Sequence, residues 1–189
     1  MIKKRLVESC LAVYNLPIMI DRVLIDSLNI KARDFAIKWK NLLRSAPQLK
    51  HYQLLNDEEV IEAGVSIFPL LSTALDRGLD RSLIGGLFVG LGKQRMHSGF
   101  PVSEVIYGLN IAQKVVIEYI TTEFAPDNPM RMYQSLGALT KVAEFFLLGS
   151  FYVTKGFLEE TYTAMSRKDQ VSEEFLKKYF KDDFFFKKD

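Results

Sequence analysis

Apolar residues recur every three or four positions along most of the chain, and no stretch alternates apolar and polar as a half-buried strand does. The pattern predicts an all-α protein of about six helices. A first helix over about residues 2–14 stops at Asn15-Leu16-Pro17, because proline disfavours helix in the residue before it. A second covers about 18–45, with a bend near Asn29. Val23, Leu24, Leu28, Phe35, Trp39, Leu42 and Leu43 are its apolar positions. A third covers about 57–77. Asn56 or Asp57 caps it, acids fill its first turn, Pro69 should kink it and Gly78 should end it.

A fourth helix over about 80–97 contains Gly85, Gly86, Gly90 and Gly92. Each glycine costs roughly 1 kcal/mol relative to alanine inside a helix. Close approach of another helix is the expected compensation. Gly99 ends this helix and Pro101 opens a fifth, over about 101–124. A long C-terminal helix follows over about 130–165. In it Met132, Leu136, Leu139, Ala143, Phe146, Ser150, Val153 and Phe157 repeat at alternating spacings of four and three, the signature of a heptad seam. Such a seam packs inside the domain or pairs two copies, and both readings stay open.

The helical domain is expected to span residues 1–168. Residues 169–189 form an aromatic tail, with a short helix restarting at Ser172 and carrying Phe175, Tyr179, Phe180 and then Phe184. An apolar tail of this kind either docks on its own or a twin domain, or recognises a protein partner.

Composition narrows the function. Of 189 residues, 48% are hydrophobic, with 14 Phe and 8 Tyr beside one Trp, two His and one Cys. The lone Cys10 excludes a disulfide framework within the chain and a Cys-rich zinc site. A net charge of +2 gives no drive toward nucleic acid. No uncharged run approaches the roughly 20 residues a bilayer span needs. The longest within residues 60–160, Ala63–Leu75, contains Pro69. Glu8 interrupts any signal-peptide core, so the expected location is cytoplasmic, without a membrane partner.

The glycine segment from Gly85 to Lys93 fails as a phosphate loop. Leu91 stands where Walker A needs lysine, and Arg95 stands where a Rossmann fingerprint needs its third glycine. His51 and His97 lack a second ligand at metal-binding spacing. No nucleophile–base arrangement appears, so a non-enzymatic role is expected, without a cofactor. His97 is kept as the ligand of an alternative, haem-binding reading. The aromatic surplus is either core or the lining of a cavity for a small apolar ligand.

The stretch from about Trp39 to Ile120 resembles the N-terminal domain of the RsbR/RsbD type, the RsbT co-antagonists of the bacterial stressosome. The residues that carry the resemblance are Trp39, Leu42, Leu43, Pro47 and the acidic start Asp57-Glu58-Glu59. They also include the marker Arg95-Met96-His97-Ser98-Gly99-Phe100-Pro101-Val102-Ser103-Glu104-Val105. The resemblance implies a globin-like helical bundle without haem and usually a homodimer. It further implies a signalling input domain that passes a stress signal through its C-terminal helix. No output domain follows in this sequence, so action on a separate output protein in trans is expected. The seam residues Leu136, Leu139, Phe146, Val153 and Phe157, and the tail residues Phe175, Tyr179, Phe180 and Phe184, are the expected contact positions. Independently of any family, Gly99 supplies a turn and Pro101 pre-sets the next helix. Arg95 is expected to hydrogen-bond carbonyls at that junction or to pair with an acid.

Overall fold

A computed structural model describes residues 22–123, 128–167 and Ser172. Among them are six α-helices and no strand. The helices are α1 (Arg22–Ile30), α2 (Ala32–Ser45), α3 (Asp57–Arg77), α4 (Arg81–His97), α5 (Val102–Glu123) and α6 (Pro129–Ser166), with a single 3-10 turn at Tyr52–Leu54. The all-α expectation therefore stands. The predicted second helix is divided at Lys31, close to the bend placed at Asn29. The predicted 2–14 helix, Cys10 and the tail residues Phe175, Tyr179, Phe180 and Phe184 lie outside the described residues.

The helix starts have local causes. Asn56 Oδ1 accepts from Glu59 N at 2.8 Å while the Glu59 carboxylate accepts from Asn56 N, a reciprocal cap for α3. Asp80 Oδ1 accepts from Ser82 N at 2.8 Å and caps α4. Asn128 does the same for α6 through Arg131 N at 2.9 Å. α3 runs through Pro69 as one helix.

One core joins the helices. Phe68, Phe88, Phe145 and Phe146 are fully buried within it. Phe88 and Phe146 both meet Phe145 edge-on, at 5.6 and 5.2 Å between ring centroids. α2 lies on α3, where a Cβ on Gly64 would sit 2.6 Å from that of Ala36. α6 packs against α4 and α5.

The glycines of α4 divide into two sets. A Cβ on Gly92 would strike the carbonyl oxygen of Val153, and a Cβ on Gly156 would strike that of Val89. Gly149 takes the Phe88 ring, and Gly85 takes Tyr152. This is the predicted close approach, and its partner is α6. Gly86 and Gly90 take no part, since a Cβ on either meets nothing within 4 Å.

That crossing bears on the predicted seam, which was open to packing within the domain or pairing of two copies. Phe146 and Val153 are buried, but Leu139 and Phe157 are only half-buried and Leu136 is 58% exposed. The buried face of α6 instead reads Ala138, Val142, Phe145, Gly149, Val153 and Gly156. Toward α4 the helix turns Phe145 together with Gly149, Val153 and Gly156, and Gly156 sits where the two backbones meet. Met132, Leu136, Leu147 and Phe151 are left on the surface.

One helix bears on the membrane expectation. By length and composition α6 is long and apolar enough to cross a bilayer, with an 18-residue window of mean hydropathy 1.4. Single charges such as Lys141 and Glu144 break its uncharged runs without lowering that average much. In the bundle, part of this apolar surface is taken up by the contacts with α4 and α5.

Candidate functional site

A cavity of about 670 Å³ lies between α3 and α4. Its floor is buried: Trp39 from α2, Tyr52 from the short 3-10 turn, Ile67 from α3, Leu109 from α5 and Arg95 from α4. Its rim is exposed and includes Glu59, Glu62, Ser66, Gly86, Gly90 and Gln94. The size falls within the range of small-molecule sites. Gly86 and Gly90 leave part of the rim on the α4 side without side chains.

The floor is held from several directions. Trp39 Nε1 donates to Gly108 O at 2.8 Å, inside the core. Gly108 also leaves room for Tyr52, whose Oη would lie 2.8 Å from any Cβ at that position. Arg44 fastens the segment carrying Tyr52 by donating to Tyr52 O and Leu55 O. Arg44 and Lys40 both pair with Asp57 at the start of α3, at 2.9 and 2.8 Å. These bonds hold the Asp57 carboxyl below its usual range.

The α4–α5 junction brings in the last group. Gly99 adopts φ +74, Phe100 N donates to Arg95 O and Gly99 N donates to Met96 O, each at 3.0 Å. This is a Schellman ending, and it needs the left-handed residue that Gly99 supplies. It also folds the Phe100 ring back over Arg95, with the guanidinium carbon 4.7 Å from the Phe100 centroid and 5.6 Å from that of Tyr52. Arg95 is only 7% exposed, and its Nε is buried without a hydrogen-bond partner. Among the described residues, the expected carbonyl bonds and acid pair of the Arg95 side chain are not made. Its guanidinium rests on two rings instead, because the turn delivers Phe100 and not an acid to its side.

The one buried acid among the described residues, Glu104, is already engaged. Its carboxylate accepts from His51 N at 3.0 Å and meets His51 Nδ1 at 2.9 Å. Burial pushes the Tyr52 hydroxyl up to about 12; the positive charge of Arg95 opposes that shift and the negative charge of Glu104 adds to it.

Compared with protein-family models, curated proteins and solved structures, the chain matches none.

Among the sequence-derived positions, Trp39 and Arg95 meet at the cavity. Gly99 and Pro101 build the turn beside it and remain exposed. His97 is turned outward, 64% exposed, with Nε2 3.1 Å from Glu160 Oε1. It does not line the cavity, so it has no route to a haem iron held there. Among the described residues, no three His, Cys, Asp or Glu side chains gather as metal ligands. Tyr52, Glu104 and Gly108 were not singled out as site residues from sequence. The sequence showed four glycines in α4 as a group, but that Gly86 and Gly90 are the two that close packing does not use shows only in the structure.

Proposed function

We propose that this chain is a non-enzymatic signalling input domain of the globin-like kind that its Trp39, Arg95, Gly99 and Pro101 pattern resembles. It is a cytoplasmic homodimer that holds a small, largely apolar ligand and acts on a protein partner in trans. One observation carries this reading: α4 has two working faces. Gly86, Gly90 and Arg95 border the cavity, while Gly85 and Gly92 pack α4 directly on α6. A ligand that displaces α4 therefore acts on α6 with little side-chain cushioning between them. Tightly packed interfaces of this kind shift between discrete arrangements and do not absorb strain gradually.

The exposed face of α6 supports the dimer. Met132, Leu136, Ala143, Leu147 and Phe151 follow one another at intervals of one or two turns, and all are exposed. That stripe suits pairing with its own copy about a two-fold axis.

Native mass spectrometry of the protein purified from its own source tests the proposal. The expected result is a dimer of the 21.7 kDa chain that releases a small molecule on denaturation. A bare monomer would overturn it.

A further inference from the structure

We infer that the cavity between α3 and α4 takes a small ligand with one negative charge on an apolar body, and that the Arg95 guanidinium receives the charge. The inference rests on the reading of this cavity as a ligand site and adds the ligand's chemistry.

Arg95 lines the cavity at 7% exposure, with Nε lacking any hydrogen-bond partner. It makes no ion pair among the described residues. Leaving a buried guanidinium unpaired is costly, and the faces of Tyr52 and Phe100 offset only part of that cost because rings accept no strong hydrogen bond. A carboxylate or sulfonate in the cavity supplies the guanidinium with an acceptor and a counter-charge together.

The acids around the cavity are committed elsewhere. Glu104 serves His51, Glu59 serves the cap at Asn56, and Glu62 pairs with Arg33 at 3.3 Å. Glu59 and Glu62 stand at the exposed rim, where they disfavour a small free anion. The walls at Trp39, Ile67, Leu91 and Leu109 are apolar, so an inorganic anion would leave them wet. A molecule with a charged head at Arg95 and an apolar body along those walls satisfies both.

Two fluorescent probes of nearly the same shape provide the test. Anilinonaphthalene sulfonate carries one negative charge, and N-phenylnaphthylamine is neutral. Each is titrated into the full chain, the Arg95→Met variant and the Gly90→Leu variant. Gly90→Leu has room, since a Cβ at Gly90 meets nothing within 4 Å, and Gly90 itself lines the cavity. Only binding abolished by Gly90→Leu is counted, which removes probe bound to the exposed stripe of α6.

The expected result is tighter binding of the anionic probe than of the neutral one. Arg95→Met should weaken the anionic probe about tenfold or more and change the neutral probe by about twofold or less. If both probes bind the cavity and Arg95→Met affects them equally, the anion inference is overturned while the cavity reading stands. If Gly90→Leu affects neither probe, the cavity reading falls with it. Should Arg95→Met fail to fold, the unaltered protein still decides: neutral probe bound as tightly as anionic overturns the inference.

Discussion

Gly92 and Gly156 let the backbones of α4 and α6 touch: each glycine faces a carbonyl oxygen of the opposite helix, Val153 on α6 and Val89 on α4. A methyl group at either position has nowhere to go, because a backbone cannot rotate aside as a side chain does. Gly92→Ala and Gly156→Ala should each destabilise the fold by about 1–3 kcal/mol in urea unfolding. Gly86→Ala and Gly90→Ala should instead stabilise it by about 0.5–1 kcal/mol each, since they add helix propensity and clash with nothing. Equal effects at all four positions would refute the division of this helix into a packing face and a cavity face.

Trp39→Phe removes the only donor that reaches the Gly108 carbonyl from another helix among the described residues. Loss of that buried bond should cost about 1–2 kcal/mol, measured as a lower urea midpoint with unchanged slope.

Tyr52 makes stability sensitive to alkali. Its folded pKa is raised from 10.0 to about 12, so the folded chain holds this proton more tightly than the unfolded chain. The contribution is complete below pH 10 and is lost as the pH rises toward 12. It amounts to about 2–3 kcal/mol by the usual conversion of pKa to free energy. In Tyr52→Phe, this part of the loss in stability between pH 10 and 12 should disappear. An unchanged alkaline unfolding curve would contradict the burial of the hydroxyl.

Leu147 and Phe151 are 72% and 52% exposed on the outer stripe of α6. The double substitution Leu147→Glu, Phe151→Glu should convert the proposed dimer to a monomer by light scattering, with circular dichroism unchanged. A wild-type chain that is already monomeric at micromolar concentration would remove the dimer from the proposal.

The helices were legible in the sequence because their boundaries are decided locally. Asn56 and Glu59, Asp80, Gly99 and Pro101 act on residues within a few positions of themselves, and the structure starts and stops α3, α4 and α5 at or beside them. The cavity was legible only in part. Trp39 and Arg95 stood out, but Tyr52 joins them through a loop held by Arg44, and nothing near Tyr52 in sequence signals that placement. On α6 the heptad count did not decide which positions pack within the chain: Phe146 and Val153 are buried while Leu136 is exposed. The bundle favoured Gly149 and Gly156, whose value depends on Val89 and Phe88 some 60 residues earlier.

By itself, then, the sequence determined an all-helical chain, its helix limits, the left-handed turn at Gly99 and the scarcity of reactive side chains. Local sterics and hydrogen bonding are enough to decide these. Only the tertiary structure decided which glycines pack and which border a cavity, which face of α6 is covered, and that Arg95 is buried without an acceptor. Those outcomes depend on how helices distant in sequence cross, and a crossing is set by the joint shape of two surfaces that neither segment carries alone.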